Sequence, residues 1–253
     1  MVPPVQPLLA GSSPRPGLKR RPAPRQRVVP GAPSRETLRE QVAGTLRDLL
    51  IAGRLAPGDK LSLRSVAESL SVSMMPVREA VARLAADGAL EVLPGRAVRV
   101  PVLTLSQFDE LTRVRLAVEG YAVEEAARNR DEADLGLIAG FERAFQEATE
   151  REPPAAIEAV CANRDLHFAV YHAAKLPMLT EIIERLWLRV GPVLNLDMRD
   201  EPRRLRGGRA VHAHATLVAA LRGRDPAAAR EALETDIRTA AQYIVGIGRL
   251  GAS

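Results

Sequence analysis

The chain has 253 residues, enough for a sizeable core and, at ~100–200 residues each, for two domains. Apolar residues make up 46% and aromatics only 3%, so the core is expected to be built from Leu, Val, Ile and Ala, a palette that favours helices. The single cysteine, Cys161, excludes a disulfide framework and a multi-cysteine metal centre. With no run of ~18 apolar residues and no basic, apolar leader in "MVPPVQPLLAGSS", a soluble cytoplasmic protein is expected.

The net charge of +5 is unevenly placed. Residues 1–33 hold Arg15, Lys19, Arg20, Arg21, Arg25 and Arg27 with no acid, which leaves the remainder near −1. The same stretch carries nine prolines and no apolar period, so it reads as a disordered basic arm. Two roles stay open for it, a strap along nucleic-acid phosphates and a solvated extension.

From Ser34 the pattern changes. "SRETLREQVAGTLRDLLIAGRL" places Leu38, Val42, Leu46, Leu49 and Leu50 at spacings of three and four, predicting one helix with Ser34 as cap and Gly53 as stop. "APGDK" is a turn, and "LSLRSVAESL" a short second helix starting at Ser62. "SVSMMPVREAVARLAADG" is a third, capped by Ser73, with Val77, Ala80, Val81 and Leu84 facing inward and Met74, Met75, Arg78 and Glu79 outward. Pro76 is tolerated because first-turn residues have no intrahelical acceptor to lose. "ALEVLPGRAVRVPVL" alternates on either side of Pro94-Gly95, predicting a two-stranded hairpin.

That order, three helices and a hairpin, is a winged helix-turn-helix over residues 34–101. The third helix would enter a major groove end-on, with Arg78 meeting a guanine edge or a phosphate. Arg64 is placed for the backbone, and Arg96, after the permissive Gly95, for the minor groove. Residues 102–253 read as an all-α bundle, with helices expected at 105–130, 132–150, 154–174, 178–198, 204–223 and 226–247. Asp225-Pro226 is a good N-cap and first helical position. The fold class is therefore mostly α, a winged helix followed by a helical bundle.

The pieces "PGDKL", "VSMMPVREAVARL" and "DGALEV" closely resemble the DNA-binding domain of the GntR family of bacterial transcription regulators. In that resemblance Arg64 and Arg78 match DNA-contacting arginines and Gly95 the wing-tip glycine. The family usually has arginine and then threonine or serine where this chain has Met74 and Met75. Methionine has no donor for a guanine and suits a thymine methyl, so the operator is expected to depart from the usual half-site there.

"LTRVRLAVEGYAVEEAA" and "HAHATLVAALRGRDPAAAREAL" resemble the FCD ligand-binding domain of the FadR subfamily. Many members hold a divalent metal with an aspartate, a histidine four residues later and two further histidines. Those positions here are Asn163, His167, His214 and Asp236. Asn163 and His167 share a helix face at i, i+4, and His214 and Asp236 on later helices can converge with them. The exchange keeps the ligand charge but lowers nitrogen donors from three to two, a harder or weaker site for Zn²⁺, Ni²⁺ or Mn²⁺. The alternative is that His167 and His214 are polar residues of a ligand pocket. Arg115 is expected either to hold an effector carboxylate or to pair with Glu119 at i, i+4. Cys161 reads as a buried apolar group, Trp187 as packing, and His172 and His212 as bystanders.

The resemblance implies a ligand-responsive, nucleoid-associated homodimer on a palindromic operator, a repressor released by a small organic acid. The alternative is a helical-bundle metalloenzyme with an accessory winged helix. Against it, the sequence holds no HExxH, no Gly-rich phosphate loop and no recognisable nucleophile constellation.

Overall fold

The apolar period from residue 38 onward folds as it predicts. The computed structural model describes residues 35–200 and 208–251, which form one compact unit. The basic arm, the Ser34 cap and residues 204–207 of the expected fifth bundle helix lie outside the described residues.

Helix α1, Arg35–Ile51, buries Val42, Leu46 and Leu50 and ends at Gly53, whose φ of 58° is left-handed. Helix α2, Leu63–Ser69, begins where expected, with the Ser62 side chain accepting from the Ser65 N–H. Helix α3, Met74–Ala86, buries Val77, Ala80, Val81 and Leu84. Ser73 sits at its N-cap, but its side chain makes no capping hydrogen bond, which corrects the capping role expected of it.

The wing is richer than a two-stranded hairpin. Strands β1 (Lys60–Leu61), β2 (Glu91–Val92) and β3 (Val98–Arg99) form an antiparallel sheet in the order β1-β3-β2. Arg99 pairs in register with both Lys60 and Glu91, and its guanidinium bonds the Glu91 carboxylate at 2.7 Å. At the wing tip Gly95 takes a φ of 81°, which a residue with a side chain rarely adopts.

Among the described residues six further helices follow, close to their predicted bounds: α4 (Leu105–Asn129), α5 (Glu132–Glu150), α6 (Ala156–Ala173), α7 (Pro177–Asp200), α8 (Arg209–Arg222) and α9 (Pro226–Gly246). Thr104 and Gln107 form a capping box on α4, Asp131 and Asp134 one on α5, and Asp225 caps α9 ahead of Pro226. The ends of α4 and α8 close reciprocally. The buried Arg130 guanidinium donates to the Leu221 and Arg222 carbonyls, while Arg224 donates to the Arg128 and Arg130 carbonyls. Each arginine thereby donates to carbonyls at the end of the other helix.

One apolar core runs from α1 and α3 into the bundle. Its junction is α7 against α1, where Gly191 meets the backbone of Leu50 and Ile51. Among the described residues no helix is long and apolar enough to cross a membrane.

Candidate functional site

Helices α4 to α9 line a partly open cavity of about 530 Å³. Asn163 and His167 reach it from α6 and Asp236 from α9, all three bordering the same space. His214 comes from α8, and one ligating atom from each of His167, His214 and Asp236 lies within 4.8 Å of the others. His167 Nε2 stands 3.3 Å from one Asp236 carboxylate oxygen and His214 Nε2 3.7 Å from the other.

Burial makes this cluster chemically distinctive. His214 is 0% exposed, and neither ring nitrogen has a hydrogen-bond partner. An unpaired buried polar group costs about 1–3 kcal/mol, so two on one ring call for a bound partner. Burial pushes the His214 pKa down to about 4, against the pull of Asp236 and with a smaller push from His167. The ring is therefore neutral at physiological pH, the form that ligates metals. Burial alone would raise the Asp236 carboxyl, but the His167, His214 and Arg115 side chains around it hold it below its ordinary value. Two imidazole nitrogens and an ionised carboxylate form a donor set that fits a divalent cation.

Arg115 borders the cavity from α4 and lies 5.3 Å over the Trp187 ring. The pairing expected as its alternative role is present: Arg115 Nε and Nη2 donate to the two Glu119 oxygens at 2.6 and 3.1 Å. Both side chains are buried. Tyr171 donates to Glu119 Oε2 at 2.5 Å and stands 3.2 Å from His167 Nδ1. Burial, and the Glu119 charge after it, push the Tyr171 phenol well above its usual range.

On the winged helix, Arg78 is exposed on α3 and Arg64 on α2, the latter paired to Glu68 at 2.9 Å. Met75 is 59% exposed, whereas Met74 is half-buried and packs on the core. Met74 was expected to face outward with Met75; it lies instead at the edge of the α3 packing face. The Arg96 side chain lies outside the described residues.

A model of the FCD domain matches residues 110–239, and a model of bacterial regulatory proteins of the gntR family matches residues 38–100. The chain belongs to the GntR family.

This GntR-family chain is 36% identical over 194 residues to the HTH-type transcriptional regulator McbR of Escherichia coli (strain K12), covering 76% of this chain and 86% of McbR. A solved structure of E. coli McbR matches with a TM-score of 0.77 at 32% identity, over 83% of this chain and 98% of that one. A "probable D-xylose utilization operon transcriptional repressor" of Paenarthrobacter nicotinovorans is 31% identical over 80% of this chain and 88% of its own length. These relatives are transcription regulators, so the metalloenzyme alternative falls away.

Other expectations sort by burial. His172 and His212 are exposed, away from the cluster. Cys161 is half-exposed rather than buried, a correction that follows from its place at the edge of the α6 packing face. Trp187 is packed as expected and also walls the cavity. Tyr171 was not anticipated, although Asn163, His167 and Tyr171 follow one another at i, i+4 and i+8 along a single face of α6.

Proposed function

We propose that this GntR-family regulator is a homodimer that reads a palindromic operator through two copies of α3 and leaves it when a small carboxylate enters the bundle cavity. The observation that carries the reading is the convergence of His167, His214 and Asp236 at the wall of a cavity that His167, Asp236 and Arg115 line. Zn²⁺, Ni²⁺ or Mn²⁺ would be held by those three residues, with Asn163 as a neutral oxygen donor. A cation there supplies a Lewis-acidic anchor for an effector carboxylate.

The chain's own residues do the rest. Arg115 offers positive charge at the cavity wall while Glu119 balances it when no effector is bound. Helix α7 presents Trp187 to the cavity and Gly191 to α1, so it touches both the sensing and the DNA-reading halves. A ligand that prefers one placement of α7 biases the winged helix through that contact. Repression is supported by the name of the xylose-operon relative. Such a regulator works in the cytoplasm, at the nucleoid.

On DNA, Arg78 and Met75 are the base-facing pair at the head of α3, with Ser73 beside the backbone. Arg64 serves the phosphates, and Gly95 with Arg96 the minor groove. The exposure of Met75 supports it, rather than Met74, as the position where base preference departs from the arginine-bearing pattern. Fluorescence anisotropy on a palindromic promoter fragment tests this. Specific binding should weaken steeply with salt, and Arg78→Ala should cost about 1–3 kcal/mol. No specific complex at low salt would contradict it.

A further inference from the structure

The hydrogen bonds behind His167 have only one consistent direction. Glu119 faces the buried Arg115 through both oxygens and, as a carboxylate, has no proton to give. The Tyr171 hydroxyl must therefore donate its single proton to Glu119 Oε2, at 2.5 Å. Only a lone pair of that oxygen then remains for His167 Nδ1, at 3.2 Å. The nitrogen must carry the proton, because two lone pairs facing each other inside a protein repel.

We infer that Tyr171 and Glu119 are positioning residues that hold a proton on His167 Nδ1, so that Nε2 is the nitrogen left for a cation in the cavity. The inference rests on the cation reading above for its purpose, not for its geometry. Nε2 lies 3.3 Å from Asp236 Oδ2, and two electron-rich atoms at that distance require a proton or a metal ion between them. A ligating histidine whose second nitrogen is anchored is held in the correct tautomer and ring orientation. The anchor starts at Arg115, so the charge bordering the cavity and the donor nitrogen facing it belong to one relay, spanning α4 and α6.

Substituting Tyr171→Phe removes the hydroxyl and little else. Without it Nδ1 has no acceptor, so the ring keeps its proton only on Nε2, bonded to Asp236. A cation that takes Nε2 must then leave the ring's proton on an Nδ1 without a partner, which weakens its binding.

The experiment combines two measurements on the full chain, as wild type and as Tyr171→Phe. The first is the imidazole ¹⁵N spectrum of metal-free protein at mildly alkaline pH. The second is Zn²⁺ affinity by competition with a chromophoric chelator. Expected are a protonated His167 Nδ1 in the wild type, loss of that proton in the variant, and a fall in Zn²⁺ affinity of about 10–100-fold. An unprotonated Nδ1 in the wild type overturns the inference, as does a variant with wild-type Zn²⁺ affinity. A wild-type chain with protonated Nδ1 but no Zn²⁺ uptake upholds the proton order and overturns the cation reading instead. The wild-type spectrum needs no substitution, so the inference is decided even where the variant fails to fold.

Discussion

Arg115→Ala is expected to destabilise the protein by about 3–5 kcal/mol, the usual cost of breaking a buried ion pair from one side. Arg115 is 3% exposed and Glu119 0%, so truncating the arginine strands a carboxylate that receives three hydrogen bonds in the intact protein. The cavity lies nearby, but the Glu119 side chain itself is fully buried. Replacing both members, as Arg115→Met with Glu119→Leu, should recover most of the loss, because two apolar groups leave no charge behind. Urea unfolding of the two variants reads both effects as shifts in midpoint at unchanged slope. A single variant as stable as the wild type would mean that the pair contributes nothing.

Gly191→Ala is expected to cost about 2–3 kcal/mol, against the intrinsic helix scale. In an open helix the same change gains up to ~1 kcal/mol, since glycine is the poorer helix former. Here the added Cβ would stand 2.7 Å from the Leu50 carbonyl oxygen and 2.8 Å from Ile51 Cα. Both are backbone atoms, so relief requires α7 to move away from α1, and overpacking of this kind costs about 1–3 kcal/mol. Gly136 on α5 is the internal control: nothing lies within 4 Å of its built Cβ, so Gly136→Ala should stabilise. Opposite signs for the two substitutions are the outcome to look for in thermal melts. Because α3 packs on α1, Gly191→Ala should also weaken operator binding, and Gly136→Ala should not.

The helices were legible because their signals are local. Ser62, Thr104, Asp131 and Asp225 each cap a helix within three residues of their own position, and the apolar period does the rest. Strand β1 was not legible: two residues carry no period, and their partner β3 lies beyond two intervening helices. The Arg130 and Arg224 clasp joins positions more than ninety residues apart and leaves no trace in local spacing. The face taken by Met74 depends on its packing with the core at the margin of α3, where helical period alone does not separate it from Met75.

The candidate site divides the same way. His167, His214, Asp236 and Asn163 were named from a resemblance and from spacing, and the fold brings the first three together. The pairing of Arg115 with Glu119 was visible as i, i+4. Its extension through Tyr171 to His167 was not, since Tyr171 and Glu119 are 52 residues apart and meet only across α4 and α6.

The bundle cavity is expected to hold a cation and an acid together. Thermal shift of chelator-stripped full chain tests it, with Zn²⁺, Ni²⁺ or Mn²⁺ crossed against acetate, succinate and citrate. Expected are a rise in melting temperature with metal, a further rise with at least one acid only when metal is present, and neither in His214→Ala. No shift with any metal, alone or with any acid, would contradict it.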